Sequence, residues 1–474
     1  MNMTILKIRN ISIMMIAGLF VVSCNVTKKY QFPDNLATEK LFREIQSNDS
    51  VKLSDIPWRD LFQDDDLRSL IDTALNNNLD LKIAVARMES AAANLDQSKL
   101  AFLPTLNANF EVTKSQPSPA RANGVNASNI PSNTIYALTG SSSWELDIWG
   151  KIRSNKRAVA AGYLQSEAYQ RVIQTQLIAT LSMNYYQLLA YDQQIEIIEA
   201  TIENRSRDVE VLKKLKIGAV VTGADVVNGE ALLKAAKLQL PDLKQARREL
   251  ENAISILLAQ PPAEIKRSKF DVQNLTPSLT TGIPLDILSN RPDVQQAELS
   301  FRSAFEMTNV ARTSFYPSVT LSATGGWATA NTIKGFFDGT FYSTLIGGLT
   351  QPIFNQGLNR QRLKVAEAWQ KEMKYIFQNT LLNAGQEISN ALYSYEQASE
   401  KYNLRQQQIA DYEKAVCFTK ELLKYSSTTN YTDVLTAEQN LLFAKLDHVA
   451  DKLQQMQAIV ELYRALGGGW DRIK

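Results

Sequence analysis

The chain has 474 residues, 45% of them hydrophobic and 21% charged, an ordered composition that excludes a disordered tail or linker protein. Its formal net charge is +2. The near balance of basic and acidic residues argues against nucleic acid as a partner.

Residues 1–23 have the order of a secretory leader: Lys7 and Arg9, an apolar run from Ile11 to Val22, then small residues ending at Ser23. The apolar core is shorter than the ~20 residues that a membrane-spanning helix needs. Cys24 follows directly and resembles the acylated cysteine of a bacterial lipobox, although a cysteine behind an ordinary cleavage site would look the same. Acyl chains bury about 0.8 kcal/mol per CH₂, so an acylated Cys24 would hold the chain at a bilayer. Only Cys417 then remains, so no intrachain disulfide can form. Residues 24–62 are expected to be an N-terminal lipid-anchored linker.

A first repeat is placed at 63–259, with strands at about 105–116 and 134–148. In its first strand Leu106, Ala108, Phe110 and Val112 alternate with Asn107, Asn109, Glu111 and Thr113, and in its second Tyr136, Leu138, Trp144, Leu146 and Ile148 alternate with polar residues. From Lys151 to Ile217 the only helix breaker is Gly162, a length of roughly 100 Å at 1.5 Å per residue. Within it Leu181, Leu188, Ile195, Ile202 and Val209 recur every seventh residue, the period of coiled-coil packing. A hairpin tip is expected at about 218–225, where Gly218 and Gly223 suit a helix stop and Thr222 and Asp225 a helix start.

An inter-repeat linker, 260–284, precedes a second repeat at 285–474. Its strands are expected at about 318–328 and 341–353, with Val319, Leu321, Ala323 and Trp327, then Leu345, Leu349 and Ile353, as apolar faces. The second long helix runs from Leu358 to Lys424 and carries Ile388, Tyr395, Tyr402, Ile409, Val416 and Leu423 at the same seven-residue period. Its tip is expected at about 425–433, with Thr432 and Asp433 starting a returning helix.

The halves correspond residue by residue. Leu75, Asn77, Asp80, Ala84, Phe102 and Pro104 are matched 213 residues later by Leu288, Asn290, Asp293, Ala297, Phe315 and Pro317; Gly150 and Arg153 are matched 207 later by Gly357 and Arg360. The chain is thus a duplicated unit of helix, strand, strand, long helix and helix. Strands with one apolar and one polar face fit a water-filled membrane barrel, but a soluble sandwich alternates in the same way. Four strands cannot close a barrel, for which about eight is the smallest number, so this reading requires sister subunits.

The run Gly282-Ile283-Pro284-Leu285-Asp286-Ile287-Leu288-Ser289-Asn290-Arg291-Pro292-Asp293-Val294 resembles the linker signature of the TolC-like outer-membrane efflux proteins, in the lipoprotein branch that serves resistance-nodulation-division pumps. Trp144 to Lys151, Phe315 to Ser318, Gln351 to Phe354 and Tyr431 to Glu438 support the resemblance, which covers residues 24–474. Leu285, Asn290 and Ser426 depart from the pattern, where the family has serine, arginine and glycine. The resemblance implies an α+β membrane protein: a homotrimer whose four strands per protomer form a twelve-stranded β-barrel, continued by a long α-helical coiled-coil barrel into the periplasm. It also implies loops near Pro117 to Ser132 and Thr329 to Gly339 outside the cell, and a periplasmic membrane-fusion adaptor and an inner-membrane transporter as partners.

The function expected is a gated passive exit duct of a tripartite efflux pump for drugs, metal ions or other small solutes. The alternatives are the duct of a type I protein secretion system, or a lipid-anchored coiled-coil scaffold without a pore. Candidate gate residues are Asp433, Asp225, Asn430, Tyr431 and Glu438, where three-fold symmetry would turn each into a ring; the two aspartates are equally candidates for helix caps. Candidate adaptor contacts are Gly218, Thr222, Gly223, Tyr425, Ser426 and Thr432. One histidine, His448, and one free cysteine assemble no metal or nucleophile site, so no cofactor and no enzymatic activity are expected.

Overall fold

A computed structural model describes residues 26–33, 56–115, 133–273, 291–425 and 431–470. Cys24, Ser426, Asn430, the Pro117 to Ser132 loop and most of the linker signature lie outside the described residues. The first half runs α1 (Trp58–Leu61), α2 (Asp65–Asn77), α3 (Leu79–Leu100), β1 (Thr105–Ser115), β2 (Asn133–Leu146), α4 (Lys151–Ile217) and α5 (Gly223–Leu257). The second runs α6 (Pro292–Thr313), β3 (Ser318–Ala330), β4 (Phe341–Thr350), α7 (Leu358–Tyr425) and α8 (Tyr431–Ala465). From α3 and from α6 onward the order of element types is the same, as a duplication requires. No described helix is long and apolar enough to cross a membrane.

The chain divides into two compact units. One draws on Met1–Asp34, Glu89–Leu164 and Glu298–Tyr375, the other on Asn35–Met88, Gln165–Ala297 and Ile376–Lys474.

The first unit holds one antiparallel sheet in the order β1-β2-β3-β4. Directly opposed residues of antiparallel strands point to the same face, so the register decides how the alternating patterns combine. Phe110 opposes Leu138, Leu138 opposes Trp327 and Trp327 opposes Phe341. At other levels Trp144 opposes Leu321, Leu146 opposes Val319 and Val319 opposes Leu349. The large apolar residues of these levels in all four strands therefore share one face, and Asn109, Thr139, Thr320 and Thr344 share the other, which Ile135 and Ile346 also join. Leu106 is 82% exposed and Leu345 72%, part of a large apolar surface left open among the described residues. On the polar face Tyr342 Oη lies 3.1 Å from Thr139 Oγ1; Gly326, between them in register, has no side chain to intervene. Strands β1 and β4 form the two edges of this sheet.

The expected strand ends at Ile148 and Ile353 are corrected: the strands stop at Leu146 and Thr350. Asp147 leaves the ladder because its carboxylate caps α4, accepting from the Ile152 amide at 2.9 Å and the Arg153 amide at 3.0 Å. Gly150 at φ 80° and Gly357 at φ 79° make the same left-handed entry into α4 and α7, so the repeat extends to backbone geometry.

In the same unit the segment after residue 25 is tied to α6. Lys28 donates its amide to Asn309 Oδ1 at 3.0 Å, and Asn309 Nδ2 donates to the Lys28 carbonyl at 2.9 Å. Tyr30 lies against Phe301 and Phe305.

The second unit is held by an apolar core in which Phe62, Leu67 and Ile71 pack with Leu181, Tyr185, Leu188, Ile459 and Tyr463. The heptad positions Leu181, Leu188, Ile195 and Val209 are buried, as is Ile388, while Tyr402, Ile409, Val416 and Leu423 are half-buried. Asp64 organises the polar part of this core. One carboxylate oxygen caps α2 through the Asp66 and Leu67 amides, and the other accepts from Tyr185 Oη at 2.8 Å, Gln273 Nε2 at 2.6 Å and the Ser268 hydroxyl. Burial opposes ionisation of Asp64, but these donors outweigh it and hold the carboxyl below the usual carboxylate range. Arg291, from the signature run, is buried and binds Asp293, Glu387 and the Ala465 carbonyl. The motif thus ties the start of α6 to the end of α8.

Candidate gate and docking site at the hairpin tips

Helix α4 ends at Ile217 in a Schellman turn: the Val220 amide donates to the Leu215 carbonyl at 3.0 Å and the Ala219 amide to the Lys216 carbonyl at 3.0 Å. The left-handed residue of that turn is Ala219, at φ 55°. This corrects the expectation that Gly218 and Gly223 stop the helix. Gly218 lies one position too early, before the residue whose φ changes sign, and Gly223 is already the first residue of α5.

Thr222 caps α5 in a reciprocal capping box. Its hydroxyl accepts from the Asp225 amide, while Asp225 Oδ2 accepts from the Thr222 amide at 2.8 Å and from its hydroxyl at 2.7 Å. These hydrogen bonds hold the Asp225 carboxyl below the usual carboxylate range, and Thr432 of the second tip adds another. Of the two roles expected for Asp225, the geometry displays the cap.

At the second tip Tyr425 ends α7 and is 88% exposed. Tyr431 begins α8 and is only 5% exposed, packed with Leu212, Val226 and Leu435 in a small apolar cluster that joins the two hairpins. Thr432 and Asp433 lie on the exposed face of α8. At the first tip Gly218, Thr222 and Gly223 are exposed, and Asp225 is partly covered.

Glu438 belongs to a polar knot further along α8. It pairs with Lys420 of α7 and faces Asp208 of α4. Arg205 of α4, 4% exposed, donates to the Leu232 carbonyl of α5 at 2.7 Å and to Gln439 of α8. Burial first, then the Glu438 charge, pushes the Asp208 carboxyl up to about 6. Arg205, Asp208 and Lys420 were not among the residues expected from sequence. A signal existed: Ile198, Arg205 and Leu212 are seven residues apart, so Arg205 is a charge in an otherwise apolar heptad row. Among the described residues no group of three or more His, Cys, Asp or Glu side chains converges as metal ligands do.

The sequence matches the family model described as outer membrane efflux protein over residues 70–260 and 283–468. A probable efflux pump outer membrane protein of Pseudomonas putida, SepC, is 28% identical over 444 residues, covering 93% of this chain and 91% of that protein. Outer membrane protein OprJ of Pseudomonas aeruginosa is 26% identical over 463 residues, covering 96% and 95%. The open state of the Neisseria gonorrhoeae MtrE outer membrane channel superposes with a TM-score of 0.84 at 26% identity, covering 94% of this chain and 98% of that one. With both halves matched, and with the duplicated strand pairs and long helices in place, the chain belongs to the outer membrane efflux protein family and is an exit duct in the bacterial outer membrane that extends into the periplasm.

Proposed function

We propose that three copies of the chain join into one duct, that the hairpin tips gate it, and that it passes drugs, metal ions or other small solutes delivered by an inner-membrane transporter through a periplasmic adaptor. The observation that carries this reading is the four-stranded sheet with two edges and one exposed apolar face. In hydrocarbon every backbone donor and acceptor must be paired, so such a sheet is tolerable only when its edges close on other strands. Three copies supply twelve strands, enough for a barrel with a water-filled lumen. The polar face would line that lumen and the apolar face would meet lipid. An acylated Cys24 would add an anchor beside the barrel, continuous with the segment that Asn309 and Tyr30 hold to α6. Gly218, Thr222, Gly223, Tyr425, Ser426 and Thr432 are the proposed adaptor contacts, and Asp225, Asn430, Tyr431, Asp433 and Glu438 the proposed gate.

The test is to purify the mature chain in detergent, measure its mass, and record current across a planar bilayer. A trimer with small, brief openings that lengthen in Asp433→Ala or Asp225→Ala supports a duct closed at its tips. A monomer that conducts under no condition overturns it.

A further inference from the structure

The polar knot below the tips joins all four helices of the two hairpins. Asp208 and the buried Arg205 stand on α4, Lys420 on α7, and Glu438, Gln439 and Tyr431 on α8, while α5 contributes the Leu232 carbonyl. Asp208 and Glu438 are both acids within hydrogen-bonding reach of one another. Asp208 Oδ2 is buried and accepts from no donor among the described residues, an arrangement that disfavours a bare carboxylate there. Two adjoining carboxylates in a half-buried site repel when both are ionised, and one shared proton turns the repulsion into a hydrogen bond. We infer that Asp208 and Glu438 form a proton-operated latch, which holds the two hairpins together when one proton is shared and loosens them when it is lost.

The cations around the pair do not remove the need for that proton. Lys420 pairs with Glu438 and, with Arg207, pulls Asp208 toward ionisation. Arg205 is engaged by the Leu232 carbonyl and Gln439. Tyr431 is a neutral phenol whose ionisation burial opposes. On α5 the nearby acid Glu230 is taken by Lys213. Burial and the Glu438 charge outweigh Lys420 and Arg207, so the Asp208 carboxyl stays raised, to about 6.

Asp208 has a raised pKa in the packed state, about 6 against the ordinary 3.8. The packed hairpins therefore bind a proton that the loosened ones release. Packing is favoured progressively as pH falls through the packed-state value and is weakened above it. Between about pH 5 and about pH 7.5 the loosened fraction should rise about tenfold. The latch rests on helix packing alone; only its effect on conduction rests on the gated-duct reading.

The experiment is hydrogen exchange followed by mass spectrometry on the full chain in detergent at those two pH values, with labelling times scaled for the intrinsic pH dependence of amide exchange. Peptides spanning residues 204–216 and 431–442 are expected to open about tenfold more at the higher pH. Asp208→Asn, neutral at both values, is expected to remove the difference and to keep the protection that the unaltered chain shows at low pH. Glu438→Gln provides a second variant expected to flatten the response if Asp208→Asn fails to fold. Equal protection of the unaltered chain at the two pH values overturns the latch, as does an undiminished difference in a folded Asp208→Asn protein. Bilayer current separates the two readings: a conducting chain with flat protection loses only the latch, and a silent chain with the tenfold change loses only the duct.

Discussion

Gly229 on α5 lies close against α4 below the first tip. A methyl group there would lie 2.7 Å from Leu212 Cδ1 and 3.6 Å from Val209 Cγ2. Two effects oppose each other in Gly229→Ala. Alanine in a helix interior is favoured over glycine by about 0.8–1.0 kcal/mol. Overpacking a filled core costs about 1–3 kcal/mol, and Leu212 is fully buried in the tip cluster, so it cannot move aside without disturbing Val226, Tyr431 and Leu435. The clash is expected to win, with Gly229→Ala loosening the hairpin by about 1 kcal/mol. Leu212→Ala removes the obstructing atoms and should itself cost about 2–5 kcal/mol. In that background Gly229→Ala should become stabilising by about 1 kcal/mol. Hydrogen exchange of the tip peptides in the four proteins of this cycle measures the coupling. If Gly229→Ala shifts protection in the same direction with and without Leu212, the packing argument is refuted.

Other sites give equally definite expectations. Ala219 holds a left-handed conformation that favours glycine, so Ala219→Gly should slow exchange at the end of α4 by an amount equivalent to about 1 kcal/mol. Thr222→Ala should cost about 1 kcal/mol at the start of α5. Because the Asp225 carboxyl is held below its ordinary value, its share of that cap should be complete above the unfolded-state value and should disappear as pH falls through the depressed one, which tip exchange in acid would follow. Arg291→Met leaves Asp293 and Glu387 without their shared guanidinium and should destabilise by about 3–5 kcal/mol, read as a lower thermal transition by circular dichroism. Gly326→Ala would put a methyl group 2.1 Å from the Leu138 carbonyl oxygen and 2.9 Å from Thr139 Cα; backbone cannot yield as a side chain can, so the pairing of β2 with β3 should be disrupted, read as a lower thermal transition by circular dichroism.

Local periodicity is written in the residues themselves, and it made much of the fold legible. Alternation of Leu106, Ala108, Phe110 and Val112 with polar neighbours defines a two-faced strand whatever it pairs with, because side chains on a strand alternate strictly. The seven-residue rows through Leu181 and Ile388 likewise define helices with a packing seam, and the repeat spacing of Gly150 and Gly357 reappears as the same backbone turn.

What tertiary structure decided is how distant pieces meet. The joining of the two repeats through β2 and β3, with Leu138 against Trp327, depends on a register between segments far apart in the chain, which no local pattern encodes. The same holds for Asp64, whose donors come from α4 and from residues 268 and 273, and for Asp147, which looked like one more alternating residue until its carboxylate found the first amides of α4. Sequence placed polar residues at the tips but could not say that Tyr431 is interior, that Ala219 rather than Gly218 takes the left-handed turn, or that Asp208 meets Glu438. A residue's type limits what it can do. Burial and the partners brought to it by other helices determine its ionisation and its role, and both arise only when the chain has folded.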